Sequence, residues 1–244
     1  MKQETYRHLA WDSQTFGFNV ADIVCRQWET NQFQVLLDAL KARGYRLAYW
    51  ALDAADRGNN DLAAKHQGFL AAQNVTYVVM FDQLLQNGVF RGSGPGSRSY
   101  RDAKPNKDLE RLALESGAFS RYHNDPLFPR ILFEKLYLLW IARSVAREIA
   151  REVLVLEEQS KILGMITLGD KEGKGTIGLL AVDPSARRKR VATTLLLDAQ
   201  RWFIDNGFKI GQVSTQKTNI GACNLYESCG YRMETINNIY HFWL

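Results

Sequence analysis

The stretch that decides the fold runs from residue 179 to residue 196 and reads Leu179-Leu180-Ala181-Val182-Asp183-Pro184-Ser185-Ala186-Arg187-Arg188-Lys189-Arg190-Val191-Ala192-Thr193-Thr194-Leu195-Leu196. Its apolar beginning predicts a buried strand, Asp183-Pro184 predicts a turn, and the apolar spacing after Arg190 predicts an amphipathic helix. A strand, a loop and a helix N-terminus in that order form an anion site, because unpaired backbone N–H groups and the helix dipole point at the loop. The four cations of the loop add charge at the same place, and a pyrophosphate suits this arrangement.

Two other interpretations apply to the basic run at residues 187–190. A solvated charge run is the commoner origin of such a sequence. Cations at a helix N-terminus oppose the dipole, however, at a cost of about 0.3–1 kcal/mol each, and an anionic ligand removes that conflict. A nuclear-localisation signal is less favoured, since it belongs in a flexible exposed segment rather than between a buried strand and a buried helix face.

The net charge of the chain is concentrated at this loop. The 244 residues carry a formal charge of +5. Residues 1–95 hold nine basic and nine acidic side chains, whereas residues 96–244 hold 22 and 17. Such a local excess of positive charge indicates that the protein binds one anionic group at this loop. It does not indicate a nucleic acid bound across a broad basic face.

The composition, 46% hydrophobic and 23% charged, is that of an ordinary soluble globular protein. The three cysteines, Cys25, Cys223 and Cys229, form no C-x-x-C pair and have no His at ligand spacing, so we expect no metal site and a reducing compartment. No apolar stretch reaches the length of a membrane span, and the N-terminal residues lack the apolar region of a signal peptide. We therefore expect a cytoplasmic protein that does not insert into membranes.

A Gly/Ser/Pro cluster at residues 88–97 divides the chain into two parts. Before it, short strands alternate with helices, which is typical of an α/β layer. After it, a helix, a Pro-bracketed aromatic segment at residues 119–129 and a long helix precede several strands. We predict an N-terminal α/β domain at residues 1–95 and a second domain at residues 96–244.

Two signatures in the second part resemble the GCN5-related N-acetyltransferase (GNAT) family. Residues 187–192, after the strand at 179–182, are similar to that family's acyl-CoA loop, with Arg190 where a Gly is usual. About 35 residues on, Asn219-Ile220-Gly221-Ala222-Cys223-Asn224-Leu225-Tyr226, followed by Gly230-Tyr231, resembles the second signature. The resemblance implies an α/β (α+β) fold, in which a mixed central sheet is flanked by helices, and acetyl-CoA as co-substrate.

Further segments resemble one subgroup of the family, typified by the dTDP-fucosamine acetyltransferases. They are Leu9-Ala10-Trp11-Asp12-Ser13-Gln14-Thr15-Phe16-Gly17-Phe18 and Ser120-Arg121-Tyr122, with Asp125-Pro126, Phe128-Pro129, Leu136-Tyr137 and Trp140-Ile141 after it. That subgroup has an N-terminal α/β domain before the acetyltransferase domain. It acetylates the amine of a nucleotide-linked dideoxy sugar.

The family mechanism is direct attack of a neutral amine on the thioester, without a covalent acyl-enzyme. It implies that Tyr226 protonates the departing thiolate and that a backbone N–H at residues 180–182 stabilises the oxyanion. A packed aromatic is the alternative for Tyr226, and helix capping is the alternative for Asn219. The cofactor-binding residues implied by the resemblance are Leu180, Ala181, Val182, Arg187, Arg188, Lys189, Arg190, Val191, Ala192, Thr193 and Asn219.

Substrate contacts are expected from Arg121, His123 and Asp125, and from Trp11 and Phe16 in the first part. Asp125-Pro126 is also typical of a helix-entry turn with a capping carboxylate, and Trp and Phe at such spacing are more often core residues. No residue is assigned as the general base, because a sugar amine loses its proton easily enough for water to suffice.

The sequence thus predicts an acetyl-CoA-dependent N-acetyltransferase for the amine of a nucleotide-linked amino-dideoxy sugar. Two alternatives stay open: a GNAT enzyme for another amine, such as an aminoglycoside or a protein N-terminus, and a non-catalytic binder of acyl-CoA or nucleic acid. We expect a small-molecule substrate and no nucleic-acid partner, and a homodimer stays open.

Overall fold

The computed structural model describes residues 4–28, 31–86 and 96–244, and it has the predicted α/β class, a mixed sheet flanked by helices. The described strands are β1 Tyr6–His8, β2 Asn19–Ile23, β3 Tyr45–Asp53, β4 Phe69–Met80, β5 Arg98–Ser99, β6 Glu152–Glu158, β7 Lys161–Lys171, β8 Lys174–Val182, β9 Ile210–Gln216 and β10 Arg232–Trp243. The described helices are α1 Ala10–Phe16, α2 Gln32–Ala42, α3 Arg57–Lys65, α4 Phe81–Gln86, α5 Lys107–Ser116, α6 Arg121–Asn124, α7 Arg130–Val145, α8 Val191–Asp205 and α9 Ile220–Ser228.

The chain forms two compact units, and both are discontinuous in sequence. The first unit comprises residues 1–74, 120–133 and 236–244, and the second comprises residues 75–119 and 134–235. Strands β4 and β10 therefore each supply residues to both units. The predicted boundary at residue 95 lies outside the described residues, and as a domain limit it stays a prediction.

The first unit is built on the strand order β1-β2-β3-β10-β4. Strand β2 runs parallel to β3, and β10 runs antiparallel to β3, with Ile239 opposite Ala51. Helices α2 and α3 cover one face, where Phe33 stacks on Trp50 with ring centroids 4.7 Å apart. Both side chains are fully buried, so this face is the main apolar core of the unit.

The opposite face of this sheet carries polar side chains as well as aromatic ones. Because successive residues of a strand point to opposite faces, Tyr49 and His241 lie opposite the face of Trp50. Their rings are 4.8 Å apart, and Phe16 and Phe128 pack against Tyr122 nearby. Segment 120–133 thus packs on the sheet of the first unit, although it comes later in the chain.

The second unit has the strand order β4-β9-β8-β7-β6-β5. Strands β6, β7 and β8 form antiparallel pairs, whereas β9 runs parallel to β8. Helix α8 packs on this sheet at Gly164 of β7, where a Cβ would lie 2.7 Å from the side chain of Val191. A glycine is needed there, because any side chain would push the beginning of α8 away from the sheet.

Two elements end differently from the sequence prediction. The β-branched run at residues 75–81 predicts a strand, whereas β4 begins six residues earlier, at Phe69. The apolar pattern after Pro129 predicts a helix at residues 131–149, whereas α7 ends at Val145, since Arg147 adopts a left-handed conformation with φ of 61° that a helix cannot continue through.

Candidate active site

The centre of the site is a gap between two neighbouring strands of the second unit. Strands β8 and β9 pair from Gly175 to Ile177, opposite Gly211 to Val213. Beyond this point β8 continues for five residues and β9 for three, without further pairing between these described strands. The two strands therefore separate toward their carboxyl ends.

Backbone N–H groups of β8 point into this gap. Ala181 lies opposite Met165 of β7, and the N–H of Asp183 donates to the carbonyl of Leu163 at 2.8 Å. Because N–H groups along a strand alternate in direction, those of Leu180 and Val182 point away from β7 and toward the side of β9. The gap therefore presents two unpaired donors, two residues apart.

The basic loop follows directly and leads into α8. A 3₁₀ turn at Pro184–Ala186 precedes it, and the backbone N–H groups of residues 188–193 have no hydrogen-bond partner among the described residues. The first N–H groups of a helix are unpaired by geometry, and the helix dipole adds positive potential at the same end. This end of α8 has the backbone arrangement of an anion site.

The side chains of the loop are not equivalent. Arg187 forms an ion pair with Glu115 of α5. Arg188, Lys189 and Arg190 are exposed and form no ion pair with a described residue. Three cations therefore stay available for a ligand, whereas Arg187 is already held by a carboxylate.

Arg190 occupies the position where the resembling family usually has glycine, and it adopts the conformation that glycine favours. Its φ is 63°, in the left-handed region, at the N-cap of α8. Arg188 shares this conformation, with φ of 62°. Arg190 therefore combines a backbone conformation that glycine favours with a positive charge.

The turn between β8 and the loop is fixed by Asp183, which is 4% exposed. Its carboxylate accepts hydrogen bonds from the N–H and hydroxyl of Ser185 and lies 2.8 Å from Arg111 and 3.0 Å from Lys161. The bonds from Ser185 and Lys161 hold the pKa of Asp183 well below its usual range. The carboxylate is thus charged at neutral pH and fixes the start of the loop.

Helix α9 carries the two residues of the second signature. Asn219 is its N-cap, and the side chain accepts a hydrogen bond from the N–H of Ala222 at 3.2 Å. Tyr226 is 4% exposed, with its ring 5.8 Å from that of Tyr77 and 5.9 Å from that of Tyr231. Its hydroxyl forms no hydrogen bond with a described residue. Burial, with a smaller effect of Cys223, raises the pKa of Tyr226, so the phenol keeps its proton.

In the first unit, Arg121 lies in a buried polar cluster. Its guanidinium lies 3.8 Å from the ring centroid of Tyr49 and donates to the hydroxyl of Tyr122 at 2.7 Å, which in turn donates to Asp12 at 3.3 Å. Burial raises the pKa of Asp12, and the charge of Arg121 partly offsets this. Among the described residues no carboxylate lies within ion-pair distance of Arg121.

Asp125 is in contact with two side chains that the sequence did not connect to it. It is 2% exposed, and one carboxylate oxygen accepts from His241 Nδ1 at 2.7 Å and from Trp243 Nε1 at 2.9 Å. The other oxygen accepts the N–H of Leu127. With both oxygens engaged, Asp125 anchors segment 120–133 to β10, and its bond to Leu127 is the local turn that the sequence also allows; its contact with substrate stays a prediction.

His241 is the residue that the sequence analysis missed. It is 1% exposed, and its Nε2 is buried with no hydrogen-bond partner among the described residues. Burial lowers the pKa of His241 to about 4, although the hydrogen bond to Asp125 acts in the other direction. No motif marks this residue, and only the pairing of β10 with β3 brings it to this face.

The other predicted substrate residues are dispersed. His123 is exposed, with Nδ1 3.0 Å from Arg130. Trp11 is half-buried on α1, and Phe16 is 5% exposed among the rings of Phe18, Tyr122 and Phe128. Phe16 is therefore a core residue of the first unit.

Residues 4–28, 31–86 and 96–244 contain neither a metal-binding cluster nor a membrane-spanning helix. This part of the chain holds no group of three His, Cys, Asp or Glu side chains that could bind a metal ion. None of its helices is long and apolar enough to cross a membrane.

Comparison with known proteins identifies the family. The model of the acetyltransferase (GNAT) family matches residues 112–231, a range that contains the gap, the basic loop, α8 and Tyr226. Residues 112–231 form a domain of the GNAT acetyltransferase family. Members of this family are N-acetyltransferases that use acetyl-CoA, so the family predicted from the two signatures is confirmed.

One curated relative is a polysaccharide biosynthesis protein. The chain is similar to the spore coat polysaccharide biosynthesis protein SpsD of Bacillus subtilis (strain 168), with 26% identity over 132 residues. The similarity covers 54% of this chain and 45% of the relative, so the chain spans less than half the length of the curated relative it matches.

Solved structures share the GNAT fold. A GCN5-related N-acetyltransferase from Sphaerobacter thermophilus is 14% identical, with a TM-score of 0.60 over 97% of this chain and 75% of its own. A conserved protein of unknown function from Staphylococcus epidermidis ATCC 12228 is 10% identical, with a TM-score of 0.69 over 100% and 93%. At these identities the likeness shows the fold alone.

The described residues fit acyl-CoA. Its pyrophosphate needs an anion site, and the loop offers unpaired N–H groups and three free cations. Its pantetheine arm carries amide carbonyls, and the gap beside β8 offers N–H donors for them.

Proposed function

We propose that this GNAT protein transfers an acetyl group from acetyl-CoA to the amine of a nucleotide-linked amino-dideoxy sugar, by direct attack of the amine on the thioester. The observation that carries the proposal is the pair of unpaired N–H groups at Leu180 and Val182, in a gap that lies beside an anion-binding loop. This is the donor arrangement that an acyl transfer needs.

Acetyl-CoA supplies the activated acyl group. In our proposal the N–H groups of residues 188–193 and the side chains of Arg188, Lys189 and Arg190 hold the pyrophosphate. The N–H groups of Leu180 and Val182 hold the pantetheine arm and stabilise the negative charge that develops on the thioester oxygen. Electrostatic stabilisation by fixed donors is usually the largest contribution of an enzyme to such a step.

Tyr226 protonates the departing thiolate. Its raised pKa supports this role, because a phenol that stays neutral brings a proton to the site without adding a charge. Its hydroxyl has no partner among the described residues that would compete for the proton.

The amine reaches the thioester in its neutral form, and no side chain is assigned as base. A sugar amine loses its proton near neutral pH, so solvent accepts it. The acceptor is proposed to contact Arg121, whose guanidinium uses one of its five donors in the cluster with Tyr122. A guanidinium suits the phosphates of a nucleotide sugar.

The choice of acceptor is supported by two likenesses. The curated relative is a polysaccharide biosynthesis protein, and residues 9–18 and 120–129 resemble the subgroup that acetylates nucleotide-linked amino sugars. We also propose a cytoplasmic location, which the unpaired cysteines of the sequence favour.

The test is an assay of thiol release from acetyl-CoA with a panel of amines. The panel holds nucleotide-linked amino-dideoxy sugars, the same sugars without the nucleotide, an aminoglycoside and a peptide with a free N-terminus. We expect amine-dependent release with the nucleotide-linked sugars alone. Thiol release with the aminoglycoside or the peptide alone would assign a different acceptor to the protein. Acetyl-CoA binding without thiol release would contradict an enzymatic function.

Arg121→Gln tests the acceptor contact. The KM for the nucleotide sugar is expected to rise about tenfold or more, since a charge-assisted hydrogen bond is lost, while the KM for acetyl-CoA is unchanged. Arg46→Gln is the matched control, because Arg46 stacks on an aromatic ring, that of Phe18, and has no assigned role. An equal change of both KM values in Arg121→Gln would contradict the assignment.

A further inference from the structure

The donors of the active site depend on an irregularity of β8. Strand β7 pairs with β8 in one register up to Ile166 opposite Leu180, and in a register shifted by one residue from Leu168 opposite Ile177. One residue of β7, Thr167, therefore faces two residues of β8, Gly178 and Leu179. This is a β-bulge.

The bulge decides which N–H groups point into the gap. The N–H of Ile177 points toward β9, because Leu168, its partner on β7, directs its carbonyl away from β8 to the N–H of Arg151. Regular alternation from Ile177 would turn the N–H groups of Leu179 and Ala181 toward β9. The extra residue shifts this alternation by one. The N–H groups of Leu180 and Val182 therefore point into the gap, and the N–H of Leu179 points at β7.

The N–H of Leu179 is bonded by a side chain. It donates to the hydroxyl oxygen of Thr167 at 2.8 Å, and Thr167 is 2% exposed. A buried N–H without a partner is costly, so this hydroxyl stabilises the bulged form of the strand.

The bulge also requires Gly178 beside this hydroxyl. A Cβ at residue 178 would lie 2.8 Å from the hydroxyl oxygen of Thr167, whereas the next atom, Trp140 Nε1, is 3.8 Å away. The first distance is closer than non-bonded contact permits. The bulge thus depends on two residues together: Thr167 of β7 supplies the hydroxyl, and Gly178 of β8 leaves room for it.

We propose that Thr167 is a positioning residue for acyl transfer: by bonding the N–H of Leu179 it holds the bulge that turns the N–H groups of Leu180 and Val182 toward the pantetheine arm and the thioester. This inference rests on the proposed function, since it concerns the same donors. Thr167 itself touches neither substrate. Its effect is therefore specific to the part of acetyl-CoA that lies along β8.

The experiment compares Thr167→Val, which keeps the shape and removes the hydroxyl, with Thr167→Ser, which keeps the hydroxyl. Thr176→Val is the matched control, because Thr176 lies on β8 before the bulge and its hydroxyl bonds no described residue. Calorimetry measures the binding of acetyl-CoA and of 3′-phospho-ADP, the nucleotide end of CoA. Infrared difference spectroscopy with ¹³C-labelled acetyl-CoA measures the carbonyl stretch of the bound thioester.

We expect Thr167→Val to weaken acetyl-CoA about tenfold, the effect of one or two hydrogen bonds, and to leave 3′-phospho-ADP unchanged. The thioester carbonyl stretch should move toward the value for free acetyl-CoA. Thr167→Ser should restore both properties, and Thr176→Val should resemble the natural protein. Equal losses for both ligands would overturn the proposal, since they indicate a general effect on the fold, and so would normal acetyl-CoA binding by Thr167→Val.

Gly178→Ala keeps the proposal testable if Thr167→Val does not fold. Residue 178 is exposed, and the added methyl group displaces the hydroxyl of Thr167. The same selective loss of acetyl-CoA binding is expected, and unchanged binding would overturn the proposal. Failure of the natural protein to bind acetyl-CoA would overturn the proposed function itself, which separates the two outcomes.

Discussion

Tyr226 combines two properties that a proton donor to a thiolate needs. Its ring is fixed between Tyr77 and Tyr231, and burial raises its pKa so that the proton is present at neutral pH. We expect Tyr226→Phe to lower turnover by about 10²-fold or more and to leave acetyl-CoA affinity within about twofold, since general acid catalysis contributes in this range. Thiol-release kinetics and calorimetry measure the two quantities.

Tyr231→Phe is the control for Tyr226. Tyr231 is buried at the same place, and its hydroxyl has no hydrogen-bond partner among the described residues. Loss of the Tyr231 hydroxyl should leave turnover unchanged. Comparable activity of Tyr226→Phe and Tyr231→Phe would remove Tyr226 from the mechanism.

His241 makes the stability of the protein depend on pH. Its pKa falls from 6.5 in the unfolded chain to about 4 when folded, so between these values the unfolded state binds more protons. The free energy of unfolding should therefore fall as the pH drops from 6.5 to 4, by up to about 3 kcal/mol for this group. The lowered pKa of Asp125 continues this loss at lower pH, whereas the raised pKa of Asp12 opposes it.

Urea unfolding of the natural protein and of His241→Gln at pH 7 and pH 5 isolates this contribution. The difference between the two pH values should be smaller in His241→Gln, because the group that titrates is gone. His123→Gln, which removes an exposed histidine, is the matched control for the loss of an imidazole. If His241→Gln left the pH dependence of the free energy of unfolding unchanged, other titrating groups would be its cause.

At the level of elements, the loop before α8 combines a strained backbone with charge, and two substitutions at Arg190 separate them. Arg190→Gly and Arg190→Ala both remove the cation, but only glycine accepts φ of 63° without cost. Urea unfolding should show Arg190→Gly to be more stable than Arg190→Ala by about 1 kcal/mol. Equal free energies of unfolding for Arg190→Gly and Arg190→Ala would mean that the loop backbone leaves the left-handed conformation in the alanine variant.

Both Arg190 variants should bind acetyl-CoA more weakly than the natural protein and equally to each other. The difference from the natural protein should shrink as salt is raised, because exposed charges are screened. A loss of affinity in Arg190→Ala alone would assign the effect to the backbone instead of the charge.

At the level of the whole molecule, the two compact units do not correspond to two consecutive pieces of chain. Residues 75–86 belong to the second unit, where Phe81 stacks on Phe203 and Tyr77 contacts Tyr226. A fragment of residues 96–244 lacks these side chains, and it also separates segments 120–133 and 236–244 from the rest of the first unit.

We therefore expect the fragment of residues 96–244 not to fold on its own. Circular dichroism and thermal unfolding, with the full chain as reference, measure this. A cooperative transition of the fragment at the temperature of the full chain would support the boundary at residue 95 as a domain limit.

Most of the secondary structure follows from local pattern. The apolar patterns predict a helix at residues 31–42, a strand at 46–52 and a helix at 106–116, and each end of α2, β3 and α5 lies within one residue of these bounds. The capping side chain of Asn106 explains the start of α5. The loop at residues 187–190 is equally local, since a strand, a turn and a helix start follow one another within 18 residues. Family and fold class could be predicted for this reason.

Contacts between distant residues could not be predicted in this way. Asp125 is expected at a turn from its sequence, but its partner His241 lies 116 residues further on. The same holds for Arg187, whose charge is paired by Glu115, 72 residues away. The local sequence pattern predicts the kind of side chain at these two positions, but it does not predict the residue that pairs with its charge.

A basic loop between a buried strand and a helix follows from the sequence alone, because that pattern depends on residues adjacent in the chain. Only the tertiary structure decided which N–H groups of the strand face the gap. That choice depends on a one-residue shift in the pairing of β7 with β8, held by Thr167, and strand register is set by partners that the sequence of one strand does not contain.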